Sequence, residues 1–182
     1  LLRSVAASCE GFQTLQFEPL PGAAKEATEI EALWTSRGGP SAGIRGSERR
    51  LLTGKEAGET LFKQIAPSYA VLHLATHGYF MGDRCDSILS SNPAKKNPLA
   101  GVRDDPFLLS GLALSGANRR AEAGEEADDG ILTAEEITSL DLSGVEWVVL
   151  SACERGIGRI QAGEAVLGLR RAFESAGAGT VI

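Results

Sequence analysis

Two apolar runs of strand length dominate the hydrophobic pattern. They cover residues 71–78 and 148–154, and they end among small residues on His77 and Cys153, respectively. A continuous hydrophobic run is typical of a strand that is buried on both faces of a parallel sheet. In open α/β sheets, function collects at the carboxyl ends of the strands. If both runs belong to one parallel sheet, we expect His77 and Cys153 to emerge at the same edge.

The rest of the pattern predicts strands that alternate with helices. The predicted strands are 12–17, 44–52, 71–77 and 145–150, and the predicted helices are 23–36, 54–65, 133–140 and 163–176. Thr53, with Glu56 at the capping-box position, and Thr133 are expected to cap helices. We expect two apolar helix stripes to face the core: Ala27, Ile30, Leu33 and Trp34 in the first helix, and Ala165, Val166, Leu169, Ala172 and Phe173 in the last. The alternation predicts a three-layer α/β/α sandwich with a mostly parallel central sheet.

Chain length predicts a single domain over residues 1–182. From about 78 to 130 the pattern changes, because Gly, Asp, Asn, Pro and paired charges crowd this interval. It is predicted to be an irregular insertion, interrupted by an apolar island at 107–114 that forms a hairpin or a strand. The chain begins at Leu1 without a Met or signal-peptide layout and ends in a strand-like segment at Ile182. We therefore expect a C-terminally truncated piece of a longer cytoplasmic polypeptide.

Charge and cysteine usage narrow the class of partner. The net charge of −6 argues against nucleic acid and anionic membrane surfaces, which both attract clustered Lys and Arg. No apolar stretch is long enough to span a bilayer. A basic or neutral polypeptide is electrostatically compatible as a substrate. The three cysteines, Cys9, Cys85 and Cys153, contain no CxxC pair, and this pattern fits a reducing compartment.

Cys153 and His77 are the candidate catalytic pair. A lone cysteine after an apolar strand is often a small buried hydrophobe, but the charged, Gly-rich segment that begins at Glu154 indicates a surface position, where a thiol can react. His77 could be a simple turn residue, yet histidine suits general-base catalysis near neutral pH. The Gly78 N–H can approach an oxyanion because no side chain stands in the way.

A metal or nucleotide site is not expected. His73 and His77 share a strand face, but four residues span about 13 Å, so the two imidazoles cannot serve one centre. His73 is therefore expected to form hydrogen bonds inside the structure. The zinc-protease pattern fails because Leu74 stands where a Glu is required, and the glycines at Gly54 and Gly156 do not complete a phosphate loop. The prediction is a site without cofactor or metal.

Six blocks of the sequence, in order along nearly the whole chain, carry a resemblance to a known family. They are residues 20–23 with Glu26, 73–78, 108–114, 130–137, 150–154 and 163–178. Together they closely resemble the CHAT domain, a caspase-like peptidase module found with TPR repeats and related to caspases and separases.

The resemblance implies a caspase-like α/β/α fold and a Cys–His dyad that needs no metal. It implies His77 as base, Cys153 as nucleophile and the Gly78 N–H in the oxyanion hole. The implied activity is hydrolysis of peptide bonds through an acyl-enzyme, often after a basic residue. The implied partners are a protein or peptide substrate, together with TPR repeats or an activating protein.

Two features depart from the family pattern. Metacaspases carry an acidic residue two positions before the cysteine, where this chain has Ser151, and the family normally continues beyond Ile182. The candidates for an acidic specificity pocket are Asp83, Asp86 and Glu154. Two alternatives remain open: a regulatory interaction module whose latent dyad awaits a partner, and a plain α/β scaffold with a buried Cys153.

Overall fold

The structure is a computed structural model that describes residues 15–36, 49–80, 109–123, 128–151 and 162–182, without the side chains of 162–165. Its α-helices are α1 (Pro21–Ser36), α2 (Glu59–Ile65), α3 (Ala134–Thr138) and α4 (Ala162–Ser175). Its strands are β1 (Val71–Leu74), β2 (His77–Phe80), β3 (Ser110–Ala113), β4 (Ile131–Thr133), β5 (Trp147–Leu150) and β6 (Thr180–Val181). Short 3₁₀ helices cover Gly54–Glu56, Ala66–Ser68 and Ala117–Glu122.

The two apolar runs pair side by side in a parallel sheet, as predicted. The strand order is β1-β5-β6, and the register places Leu72 opposite Val148 and Val148 opposite Val181. These three side chains are buried on one face, because residues that are level across a sheet point to the same side. The opposite face is more open: Val71 and Trp147 are both exposed.

The first apolar run continues into a second, antiparallel sheet, with order β2-β3-β4. After β1 the chain passes through Ala75 and Thr76, and the Thr76 hydroxyl donates to the carbonyl of Ala113 in β3. His77 is consequently the first residue of β2, paired with Ala113, rather than the last residue of β1. The strand at Ser110–Ala113 confirms the strand interpretation of the apolar island.

The main core lies between the parallel sheet and the helices. Phe173 and Leu169 of α4, Ile137 of α3 and Phe62 of α2 are buried there, together with inward-facing Leu112 of β3. A second cluster forms on the other side of the antiparallel sheet. Its buried residues are Leu15, Tyr79, Phe80, Leu109, Ala113, Ala117 and Ile131, with Phe17 packed against them.

Local capping signals had different outcomes at the two predicted helix starts. Thr133 caps α3 with a complete capping box, in which the Thr133 hydroxyl accepts from the Glu136 N–H and the Glu136 carboxylate accepts from the Thr133 N–H. Thr53 makes no side-chain capping bond, and only a short 3₁₀ helix follows it before α2 begins at Glu59. The prediction of one capped helix over 54–65 was therefore wrong.

The structure also differs from several sequence-based predictions of buried residues and strands. None of the residues of α1 is buried, so its expected core stripe is wrong, and Val166 of α4 is 43% exposed. Residues 15–20 and 49–53 form no strand, because none of them pairs with a neighbouring strand. The remainder of those two predicted strands lies outside the described residues.

The described residues form a mixed α/β fold with one small parallel and one small antiparallel sheet. Within the interval 78–130, predicted to be irregular, they include part of β2, β3 and the 3₁₀ helix Ala117–Glu122. In the described part of the chain, every helix falls short of the length and apolar character that a membrane crossing requires.

Candidate active site

The pairing of β1 with β5 fixes where the two candidate catalytic residues leave the parallel sheet. Leu74 pairs with Leu150, and the Ser151 N–H donates to the Leu74 carbonyl at 2.9 Å. His77 follows Leu74 by three residues, and Cys153 follows Leu150 by three residues. Both chain segments thus depart from the same end of two adjacent parallel strands with equal offsets. Cys153 itself lies outside the described residues.

His77 is the described member of the candidate pair. Its Nε2 lies 2.6 Å from the backbone carbonyl oxygen of Glu18. A carbonyl oxygen only accepts hydrogen bonds, so Nε2 carries the proton and donates it to this contact. In the neutral ring the proton-free nitrogen is then Nδ1. Such a ring can accept a proton through Nδ1 from a thiol that reaches it.

Aromatic packing supports the orientation of the imidazole. The ring centroid of Phe17 lies 5.6 Å from that of His77, with an angle of 40° between the ring planes. Phe17 also contacts the buried Tyr79 ring, with a centroid distance of 6.1 Å. Tilted rings at these separations attract one another through their quadrupoles. Phe17 and Glu18 therefore hold His77 with an aromatic face and a neighbouring carbonyl.

Two polar side chains attach this N-terminal segment to the rest of the molecule. The Oδ1 of Asn118 accepts from the Phe17 N–H at 2.8 Å, and its Nδ2 donates to the Phe17 carbonyl at 2.9 Å. The buried Arg120 guanidinium donates to the carbonyls of Leu15 at 2.5 Å and Ala117 at 2.6 Å. A segment without regular secondary structure is thereby fixed beside β2.

Gly78 lies inside β2, opposite Leu112 of β3, and is partly exposed. Its φ is not positive, so Gly78, the candidate oxyanion donor, has an ordinary strand conformation and not one that requires glycine. The role of its N–H in catalysis stays a prediction.

His73 belongs to a separate polar cluster, which it forms with Glu26 and Ser151. Its Nε2 lies 2.9 Å from a carboxylate oxygen of Glu26 in α1, which confirms the prediction that His73 forms an internal hydrogen bond. The Ser151 side chain also hydrogen-bonds this carboxylate, and this bond is the largest cause that lowers the pKa of Glu26. Hydrogen bonds from Ser151 and His73 stabilise the charged carboxylate more than burial opposes it. Glu26 therefore links α1 to the ends of β1 and β5.

A cavity of about 1090 Å³ separates much of α1 from the body of the molecule. The apolar stripe of α1 lines it instead of packing into the core, which explains why that predicted burial failed. His73 and the chain after β1 line the facing wall. The lining residues on α1 include Ala23, Ala27, Ile30, Leu33 and Trp34.

The predicted specificity residues Asp83, Asp86 and Glu154 lie outside the described residues, as do Cys9 and Cys85. Among the described residues, no group of three or more His, Cys, Asp and Glu side chains could hold a metal ion. Sequence reasoning missed the contributions of Glu18 and Asn118. The Glu18 contact uses a backbone carbonyl, which every residue type offers, so no sequence signal could have revealed it.

The comparisons with known proteins support one family. The family model described as CHAT domain matches residues 4–182. No curated protein and no solved structure matches the chain.

Proposed function

The chain belongs to the CHAT domain family of caspase-like, peptidase-related modules, and from this premise we propose that it is a cysteine endopeptidase with a His77–Cys153 dyad. The observation that carries the proposal is the register of β1 and β5, which gives both residues the same three-residue offset from the Leu74–Leu150 pair. The contact of His77 Nε2 with a carbonyl supports it further, because the contact leaves Nδ1 to act as the base.

In the proposed mechanism the Cys153 thiol passes its proton to His77 Nδ1, and the thiolate attacks the carbonyl carbon of the scissile peptide bond. The developing negative charge on the oxygen is stabilised by the Gly78 N–H. The imidazolium then protonates the leaving amine while the C–N bond breaks, which produces a thioester with Cys153. His77 next removes a proton from water, which attacks the thioester. Return of that proton to the sulfur releases the acid product and restores the thiol.

We propose that the preferred substrate carries a basic side chain on the acyl side of the cleaved bond. Support comes from Glu26, whose side chain is 38% exposed and whose carboxylate is kept ionised by its hydrogen bonds to Ser151 and His73. Ser151 is two residues before Cys153, a separation of at most about 7 Å between their Cα atoms. A Lys or Arg side chain next to the scissile carbonyl can bridge such a distance. The proposal keeps three further acidic candidates: Asp83, Asp86 and Glu154.

The same proposal includes the extent and fold of the domain, its location and its partners. Residues 1–182 form one caspase-like domain with a three-layer α/β/α arrangement and an insertion at about 78–130. The domain acts in the cytoplasm on a protein or peptide substrate. TPR repeats or another activating protein are its proposed partners.

The test is cleavage of a peptide panel that varies only the residue before the scissile bond, with arginine, lysine, norleucine and aspartate compared. We expect the wild type to cleave the basic peptides, Cys153→Ala to lose cleavage completely, and the matched control Cys9→Ser to retain it. Equal cleavage by the wild type and Cys153→Ala would end the assignment. A Cys153 that becomes reactive to a thiol probe only after a protein partner is added would favour the regulatory module instead.

A further inference from the structure

The segment that holds His77 has no regular secondary structure, so its position depends on side-chain contacts. Residues 15–20 form neither helix nor strand, yet the Glu18 carbonyl lies 2.6 Å from His77 Nε2. Backbone conformational entropy favours movement of such a segment by about 1–2 kcal/mol per residue. Specific attachments near Glu18 must therefore oppose that freedom.

Asn118 makes the attachment closest to Glu18. Its amide bonds both the N–H and the carbonyl of Phe17, the residue directly before Glu18, at 2.8 and 2.9 Å. Two simultaneous hydrogen bonds from one planar amide fix the rotation of the Phe17 backbone as well as its position. The Phe17 carbonyl belongs to the peptide unit that leads into Glu18, so this pairing fixes the backbone directly before the carbonyl that contacts His77.

The 3₁₀ helix that carries Asn118 is closely packed at its start. Asn118 lies in the 3₁₀ helix Ala117–Glu122, whose first residue is buried and donates to the Leu114 carbonyl at 3.2 Å. Gly130, with φ +73°, packs so closely against this start that an added Cβ would lie 2.3 Å from the Ala117 nitrogen. Asn118 itself is exposed, so its replacement removes the Phe17 contacts without opening the core.

We propose that Asn118 is a positioning residue for the dyad: by clamping Phe17 it aims the Glu18 carbonyl at His77 Nε2 and so presents Nδ1 to Cys153. The inference rests on the proposed function for its catalytic consequence. Arg120 assists at Leu15, but Leu15 lies three residues before Glu18, and Arg120 is buried, so its removal would disturb the fold more generally.

The first test is the tautomer of His77, read from imidazole ¹⁵N chemical shifts. The chain has two histidines, so His73 and His77 can be assigned with His77→Gln as a reference. We expect the wild type to populate the Nε2–H form of His77. Asn118→Ala is expected to shift His77 toward a mixture of both tautomers, while the His73 signals stay in place. Arg119→Ala, an exposed neighbour on the same 3₁₀ helix, is the matched control and is expected to leave both histidines unchanged.

The second test is kinetic. We expect Asn118→Ala to lower kcat by about tenfold or more with little change in KM, because misplacement of the base costs rate more than substrate binding. Asn118→Asp keeps the acceptor for the Phe17 N–H but loses the donor to its carbonyl, so an intermediate loss is expected. Thermal unfolding of each variant checks that the fold is retained.

The outcomes separate this inference from the proposed function. An unchanged His77 tautomer in Asn118→Ala, or an equal effect in Arg119→Ala, overturns the positioning role even if the protein is an active peptidase. Failure of the wild type to cleave any peptide removes the proposed function, and the ¹⁵N comparison still decides whether Asn118 orients His77.

Discussion

The imidazole of His77 donates through Nε2 to the backbone carbonyl of Glu18, 59 residues earlier in the chain, at 2.6 Å. The other histidine, His73, contacts a carboxylate, that of Glu26. An uncharged acceptor fixes the tautomer and direction of a ring without placing a full negative charge beside it. The two partners therefore fit different tasks, with His77 suited to proton transfer and His73 to structural linkage.

Replacement of His77 with alanine is expected to slow alkylation of the Cys153 thiol by iodoacetamide at pH 7 by at least about tenfold. Without a nearby base, a cysteine is only a few per cent thiolate at this pH. Mass spectrometry of the separate cysteine peptides measures each rate, and Cys9 serves as the internal control with an unchanged rate. Equal slowing at Cys9, or no slowing at Cys153, would contradict the role of His77 as base.

Replacement of Glu26 with glutamine is expected to lower the preference for arginine over norleucine before the scissile bond by about tenfold. Loss of a charge-assisted hydrogen bond accounts for a change of this order, while the amide keeps an acceptor for Ser151. The ratio of kcat/KM values on the paired peptides measures it. Glu29→Gln is the matched control, since Glu29 lies on the same helix and its carboxylate pairs with exposed Lys25 at 3.7 Å. A ratio that stays constant in Glu26→Gln would exclude Glu26 from substrate selection.

Glu59 makes folding stability depend on pH near neutrality. Burial raises the pKa of Glu59 from 4.5 to about 7, and it outweighs the opposing hydrogen bond from Lys63, while the nearby Glu136 charge adds to the increase. Because the folded protein binds this proton more tightly than the unfolded chain, the stabilising contribution is complete below pH 4.5 and is lost as pH rises through 7. The full loss is up to about 3 kcal/mol.

The corresponding measurement is urea unfolding of the wild type and Glu59→Gln at pH 5 and pH 8. We expect the wild type to lose more unfolding free energy than the variant over this interval, because glutamine does not titrate. Parallel pH profiles for the two proteins would show that Glu59 is not the responsible group.

A side chain at Gly111 in β3 is expected to destabilise the fold. A Cβ at this position would lie 2.3 Å from the Tyr79 hydroxyl oxygen and 2.8 Å from the Leu132 carbonyl oxygen, and Tyr79 is buried. Gly111→Ala should lower the unfolding free energy by about 1–3 kcal/mol through overpacking. Gly22→Ala in α1, where no atom lies within 4 Å, is the matched control and should be neutral or stabilising by up to about 1 kcal/mol. Similar urea midpoints for the two variants would contradict the close packing at Gly111.

Sequence predicted those parts of the fold that depend on local or nearest-neighbour information. The Thr133–Glu136 capping box forms within four residues, and the apolar runs of β1 and β5 find each other as adjacent parallel strands. The stripe of α1 was predicted equally strongly but lines a cavity. Its burial depends on what faces the helix, and hydrophobic spacing within a helix carries no information about that.

At the candidate site, too, the sequence predicted some features, whereas contacts between distant positions could not be predicted. The sequence predicted that the strands before His77 and Cys153 are parallel neighbours, and β1 and β5 do pair in this way, while the contact between His77 and Cys153 stays a prediction. The contact of His77 with Glu18, and the attachment of that segment by Asn118, join positions far apart in the chain through backbone atoms. Backbone groups are the same in every residue type, so a single sequence holds no pattern that identifies them.

The distance between His77 Nδ1 and Cys153 Sγ in a crystal structure of the chain decides whether the two residues can form a catalytic dyad. We expect these atoms to lie within about 4 Å of one another, with Nε2 still donating to the Glu18 carbonyl. A Cys153 sulfur on the opposite side of the parallel sheet, or one that faces Nε2 instead of Nδ1, would contradict it.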